Sequence, residues 1–503
     1  MWLILAAAIG AGDAEIGFVP ADAVVYSLAD AAAIAEDRRP FVRYVWTDGT
    51  KASNAAVSFA ANTAISKSSV PVRLPAVAGG RLVRVELDTL LPKDSDLKRA
   101  IELWEKQAGQ DPYFYIRQQV KIAAYLADDG KTYDWKWGVS FASHVDLKSA
   151  VMLQGLTKSS VPIQRVDRFI TKTLTQIDGG LYYDWAGIRQ SQKAGQTDFE
   201  QFLDDHGVDR KRAAELRAER RAAIFRSGVT AKPRAIEEIQ GLLGTVVWTE
   251  DPADNNLDPK AHPVLTLLEP KKDAIEAIAL RANGHCSFAI FDGQGKRADS
   301  VPDNIAKDHT IPSPFTARLQ PAISCIRCHA QGSGFRTTRN DISALLKGKP
   351  EDGLKFDLLG DDRRHDVRDT LDRLAGLYRG NLDRLARGRD DYSDAVFLST
   401  GGLSVAEVAG AVQAIDDGYR FSDVSPRVAC EELGIRTDND GAVSMLRKLL
   451  PAASAPGGRE DARIGFLKIG VTITRADWEA VYIDAAIRSR PHYEELAKAK
   501  VKE

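Results

Sequence analysis

Two of the four cysteines fall in one five-residue string, Cys325-Ile326-Arg327-Cys328-His329, and no other feature restricts the local fold so tightly. Residues three and four apart share a helix face, so a single helical turn here sets two thiols and an imidazole side by side. With 4 cysteines and 8 histidines in 503 residues, the expected number of accidental C-x-x-C-H matches is ~0.0005. The spacing therefore answers a chemical need.

Three chemistries use a close cysteine pair. C-x-x-C-H is the attachment pattern for c-type haem: each sulfur forms a thioether with one vinyl group of the porphyrin, and the histidine offers a ring nitrogen to the iron. On that reading Cys325 and Cys328 hold haem c and His329 is the proximal iron ligand. A redox dithiol needs a strand-to-helix setting that activates the first cysteine. Here Pro302, Pro312, Pro314 and Pro321 punctuate an irregular approach, and the adjoining histidine is left unexplained. Structural zinc needs a fourth ligand and usually a second close pair, whereas Cys286 and Cys430 stand alone. Those two either pair as a disulfide after export or lie inert in the core.

The rest of the chain supplies the setting. A length of 503 residues exceeds what one core organises, so two or three domains are expected. Hydrophobic residues at 44% and charged residues at 27% exclude a disordered or fibrous chain. A net charge of −2 gives no electrostatic reason to expect a nucleic-acid partner. Residues 1–14 carry an apolar run, Met1 to Ala11, followed by Gly12-Asp13-Ala14, as in an export signal cut after Ala14 but without its usual basic start; the alternative is a buried terminal strand or helix. Elsewhere no uninterrupted apolar run is long enough for a transmembrane helix.

Patterning divides the remainder. Residues 15–232 read as a mixed α/β region, 233–322 as strand-rich, and 323–503 as a mainly helical haem-bearing region with a linker near 451–458, so the class is α+β. Leu82, Val83 and Val85 predict a short exposed strand, and Leu97, Ile101 and Trp104 a helix capped by Asp94 and Ser95. A helix opening at Pro162 is expected to turn Val166, Phe169 and Ile170 inward. Arg210 to Arg226 reads as a basic helix, a solvated face or a docking patch for an acidic redox partner. Residues 274–282 and 285–291 are two strands joined at Asn283-Gly284, and Asp292 to Gly295 forms a second turn. Val367, Leu371, Leu374, Tyr378, Leu382 and Leu385 form a helical seam. Thr474 with Asp477 caps a final helix through Trp478. The clusters Tyr182-Tyr183-Asp184-Trp185 and Trp135 with Trp137 read as core or pocket lining.

Residues 324–330 resemble the haem site of c-type cytochromes. More widely, the chain resembles large secreted bacterial monohaem proteins with a long amino-terminal region of unassigned role, through the short blocks Asp111-Pro112-Tyr113-Phe114, Val161-Pro162-Ile163 and Tyr182-Tyr183-Asp184 and the hairpin ahead of the motif. The resemblance implies covalent haem c, iron and one-electron transfer with an unidentified redox partner, in the periplasm or outside the cell. It implies no substrate. The sixth iron position is open to Met152, Met445, His262, His365 or no residue at all; His144, His206, His285, His309 and His492 complete the histidine inventory. An open position would suit a peroxidase-like enzyme or a gas or redox sensor. A scaffold whose amino-terminal region binds a partner is a third class.

Overall fold

The computed structural model describes residues 21–111, 147–177, 179–224, 234–242, 244–252, 272–301, 306–311, 315, 317–329, 391–433, 439–449, 472–475, 477–479, 481–482 and 485. The mixed class holds, with two larger sheets among many helices. The expected signal at 1–14, the Trp135 and Trp137 cluster, the seam from Val367 to Leu385 and the linker at 451–458 lie outside the described residues.

The first sheet has the order β2-β3-β1-β4, with β1 Val42–Trp46, β2 Ala76–Val77, β3 Leu82–Glu86 and β4 Ile163–Arg165. β3 runs antiparallel to β1, pairing Val42 with Glu86 and Trp46 with Leu82. It is not the exposed strand its flanking charges suggest, because sitting between β2 and β1 buries Leu82, Val83 and Val85. Arg84 finds a partner in Asp30 at 2.8 Å, and Tyr44 donates to the same carboxylate at 2.8 Å. Asp30 belongs to helix α1, Ala21–Ala33.

β4 corrects a second expectation. Pro162 does not open a helix: its carbonyl accepts the Tyr44 N–H at 2.9 Å, and Ile163 to Arg165 pair in parallel with β1. The helix begins at Val166, and Val166, Phe169 and Ile170 are buried as the spacing requires. Helix α2 is Lys51–Ala60, α3 is Asp94–Ala108, α4 is Leu147–Thr157 and α5 is Val166–Leu174. In α3 the cap position falls on Lys93 without a side-chain bond, so Asp94 is already helical. There it complements the positive end of the helix dipole instead of capping it.

The second sheet is an antiparallel meander of β5 Arg221–Ile224, β6 Arg234–Gln240, β7 Thr245–Pro252, β8 Lys272–Leu280 and β9 Cys286–Asp292. Helices α6 Tyr182–Ala186, α7 Asp198–Asp205 and α8 Arg210–Arg220 precede it. The basic stretch therefore leaves the helix at Arg220, and Arg221 to Ile224 extend to pair with β6. The predicted hairpin between β8 and β9 is present. Gly284, at φ 77°, closes the turn by donating to the Arg281 carbonyl at 2.9 Å. The Asn283 side chain accepts the His285 N–H at 3.1 Å, so only the glycine takes positive φ. Asp292 to Gly295 forms the second turn, with Gly295 donating to Asp292 at 2.9 Å.

β9 is an edge strand, whose free N–H groups would invite pairing with another chain. The Tyr182 hydroxyl accepts the Phe288 N–H at 2.8 Å and the Tyr183 hydroxyl accepts the Ile290 N–H at 3.0 Å. The aromatic cluster is thus core that also closes a sheet edge.

From the motif onward the described chain is mainly helical: α9 Ile323–Cys328, α10 Asp391–Thr400, α11 Val405–Arg420, α12 Pro426–Glu432 and α13 Asn439–Leu449. One apolar core runs from α1 to α11, with α11 packed on α2 and α5. A second core gathers Val424, Cys430, Leu446 and Trp478 around the short pair β10 Asp423–Val424 and β11 Ile473–Thr474. Thr474 caps the helical turn that follows, its hydroxyl accepting the Asp477 N–H at 3.2 Å. Among the described residues no single helix is long and apolar enough to cross a membrane.

Candidate functional site

The motif occupies α9, a six-residue helix. A helix this short cannot hold itself together in water, so its surroundings must fix it. At its start, Pro321, Ala322 and Ile323 make a γ-turn: Ile323 donates to the Pro321 carbonyl at 2.9 Å, and Ala322 sits at φ 60° and ψ −72°. An alanine on the positive-φ side is strained, and such strain persists only where the surroundings enforce it. The Ser324 hydroxyl accepts the Gln320 N–H at 3.1 Å, and inside the turn Ile326 donates to Ala322 at 2.7 Å.

Cys325 and Cys328 lie three residues apart and are half-buried, and His329, at the end of the helix, is half-buried as well. Cys325 packs against the main core. Cys328 packs against a small apolar cluster of Ala274, Ile290, Val301, Ala306 and Leu319. All four cysteines are thiols. Burial pushes the Cys325 thiol well above its ordinary value, and Glu276 and Cys328 push it further. That environment opposes thiolate formation, the reverse of what an activated dithiol needs.

Arg327, between the two cysteines, anchors α9. Its guanidinium is buried and meets Asp416 and Asp417 of α11 at 2.5 Å each, and it donates to the Thr310 hydroxyl at 3.3 Å. Phe421 lies against it at 5.8 Å from the ring centroid and in turn touches Phe315 at 4.8 Å between rings. Burial lowers the Arg327 pKa, but Asp416, Asp417 and Asp308 more than reverse that, so it stays charged. Asp416 is held by Arg420 at 2.9 Å and by the Thr171 hydroxyl of α5 at 2.9 Å. Burial raises the Asp416 carboxyl, and Arg420, Arg327 and Thr171 together bring it below the usual carboxylate range. Three buried polar atoms in this neighbourhood have no hydrogen-bond partner: Asp308 Oδ2, Gln320 Oε1 and Arg327 Nε.

The donor chemistry fits haem c: two thiols at thioether spacing, an imidazole next to the second, apolar residues behind both sulfurs, and a charge-locked backbone turn. Among the described residues no group of three or more His, Cys, Asp or Glu side chains is arranged to hold a metal ion.

The other candidate residues separate. Met152 on α4 is half-exposed, and Met445 on α13 packs against the second core. His262, His365, His144 and His492 lie outside the described residues. The His206 ring nitrogen Nδ1 bonds the Phe202 carbonyl at 2.8 Å, and burial lowers its pKa. His309 is exposed. His285 is buried between Thr63, at 3.3 Å, and Ser399, at 3.0 Å. Burial, with the nearby charge of Arg281, lowers its pKa to about 3. Cys286 and Cys430 are buried in different cores, Cys286 with its thiol pushed up by burial.

Sequence reasoning missed Arg327, Asp416, Asp417, Thr310 and Asp308. Their one early sign was a charged residue inside an otherwise apolar motif. Neither a family model, nor a curated protein, nor a solved structure matches the chain.

Proposed function

We propose that the chain is an exported monohaem c-type cytochrome that transfers single electrons in the periplasm or outside the cell. The observation that carries the proposal is the pair of thiols on one helical turn with His329 at its end, in surroundings that suppress thiolate chemistry. Cys325 and Cys328 would hold the porphyrin through thioethers and His329 would ligate the iron. When bound, the haem supplies a one-electron couple. The chain's own part is to keep that couple in place. Arg327 locks the motif turn to α11, and Cys325 and Cys328 each pack against apolar residues.

The test is expression of the full chain with c-type haem maturation, followed by haem staining on a denaturing gel and optical spectroscopy. Covalent stain and a sharp low-spin reduced spectrum indifferent to carbon monoxide are expected. Cys325→Ala with Cys328→Ala should abolish the stain. Colourless wild-type protein, zinc at the motif, or stain that survives the double change overturns the assignment. Rapid carbon monoxide binding would favour an enzyme or sensor with an open distal position.

A further inference from the structure

Helices α5 and α11 carry two sets of buried contacts one turn apart. In the first, Thr171 of α5 donates to Asp416 of α11 at 2.9 Å, and Asp416 meets Arg327 of the motif turn at 2.5 Å. In the second, Arg168 of α5 donates to the Tyr419 hydroxyl of α11 at 3.0 Å, and both bind the carboxylate of Glu479, Arg168 at 2.8 Å and Tyr419 at 2.6 Å. Arg168 and Thr171 are three residues apart, as are Asp416 and Tyr419. Each pair therefore shares a helix face, and the two sets lie about 5 Å apart along the seam. Arg165, at the end of β4, adds a further contact to Glu479 at 3.2 Å. Glu479 itself comes from the second core: its neighbour Trp478 is fully buried there and donates to Glu432 at 2.6 Å. Among the described residues the two apolar cores have no side chain in common, and the Glu479 side chain is 9% exposed. The second core thus meets α5 and α11 through charge, at the turn next to the contact that fixes the motif.

We propose that the second core is a clasp on the motif turn: docked through Glu479 it holds α11 against α5, and when it lifts away the grip of Asp416 and Asp417 on Arg327 loosens. Glu479 is then a positioning residue that reaches the motif through α11. The clasp rests on the fold alone and not on what the cysteines hold. A charged junction of this kind suits an element that opens. Taking Glu479, Arg165 and Arg168 out of water costs much of what their attraction returns, so the ion pairs stabilise the docked state little. Arg168 Nε, buried and without a hydrogen-bond partner, adds to that cost. On opening, water solvates all three charges while each core keeps its own apolar packing. Asp167 stays with Arg165 at 3.1 Å and Asp111 lies 3.8 Å from Arg168, so neither guanidinium loses every carboxylate. What opening removes is the carboxylate that ties Arg168 of α5 to Tyr419 of α11. The coupling runs both ways: a change that frees Arg327 weakens the docking of Glu479 by the same factor.

The experiment is amide exchange on the full chain, with and without Glu479→Gln, which removes the charge at nearly constant shape. Exchange at Ile326 and His329 of the motif turn should speed up about tenfold. Inside the second core, the Ala429 N–H is bonded to Ser425 at 2.9 Å and the Leu433 N–H to Ala429 at 3.2 Å. These two amides and those of α3 should stay within about twofold of wild type. The same change in an Arg327→Met background should add little, because the motif turn is then already free of α11. A general loss of stability would not produce that non-additivity. Where Glu479→Gln does not fold, Tyr419→Phe takes its place. It cuts the α11 arm, leaves Glu479 on Arg165 and Arg168, and should give the same selective acceleration. Three results overturn the clasp: motif amides that keep their wild-type rates, second-core and α3 amides that speed up along with them, or equal factors in the two backgrounds.

Discussion

Replacing Arg327 with methionine isolates what holds the motif turn, because methionine keeps most of the apolar stem and removes the charge. The guanidinium is fully buried and meets two carboxylates at 2.5 Å. Removing one member of a buried ion pair costs about 3–5 kcal/mol when the other is left uncompensated. Asp416 is not left so: Arg420 and Thr171 each remain at 2.9 Å. Asp417 reaches solvent and loses little. The expected loss is therefore at the lower end, about 3 kcal/mol. It should appear first as local opening, since α9 has only six residues and Arg327 is its one charged side chain. At about 1.4 kcal/mol per tenfold, amide exchange in the turn should speed up about a hundredfold. The reporters are the Ile326 N–H, bonded to Ala322 at 2.7 Å, and the His329 N–H, bonded to Cys325 at 2.8 Å. Amides of α3 serve as the reference. Exchange at Ile326 and His329 within about threefold of wild type, against that hundredfold expectation, would refute the claim that Arg327 fixes the turn.

Other outcomes follow from the same geometry. His285 is neutral in the fold, with its pKa lowered to about 3, whereas the unfolded chain protonates it near its ordinary value of about 6.5. Stability should thus fall as pH drops from about 6.5 toward 3, by an amount on the order of a few kcal/mol; denaturant titrations that show no flattening of that slope in His285→Gln would disprove the assignment. Tyr183→Phe strands the Ile290 N–H and the Ala298 carbonyl, now bonded at 3.0 and 2.7 Å, and should cost about 1–3 kcal/mol. A cost below about 0.5 kcal/mol by chemical denaturation would mean that β9 does not depend on the tyrosine edge. Ala322→Val places a β-branched residue at φ 60° and should lose more than about 2 kcal/mol, while Ala322→Gly should stay within about 1 kcal/mol of wild type. Equal stabilities would show that the γ-turn is not retained in solution.

The parts of the fold legible in the sequence are those whose cause is local. Alternating apolar residues and a glycine at the turn specify the β8–β9 hairpin within one stretch of chain, and a hydroxyl three residues ahead of Asp477 specifies a helix start. β4 has no such signal. Ile163 to Arg165 become a strand because β1, more than a hundred residues earlier, presents Tyr44 to Trp46 for pairing. Likewise Arg221 to Ile224 carry no pattern that separates them from the preceding helix, and the free edge of β6 decides their conformation. The charges on β3 suggest an outer strand, yet Arg84 is accommodated by Asp30 on α1, a partner no periodicity reveals.

The candidate site divides along the same line. The attachment proposed above would need three groups at fixed short spacing, and Cys325, Cys328 and His329 are readable in the chain because they stand at that spacing. What makes the turn rigid need obey no spacing. Arg327 finds its counter-ions 89 and 90 residues further on, and Asp416 is in turn held by Thr171, 245 residues before it. A six-residue helix draws its stability from such partners, so its geometry is set by α5 and α11 as much as by its own sequence. A change at Thr171 or Asp416, far from either cysteine in the chain, should therefore be felt at the spacing of the two sulfurs before it is felt anywhere in the second sheet.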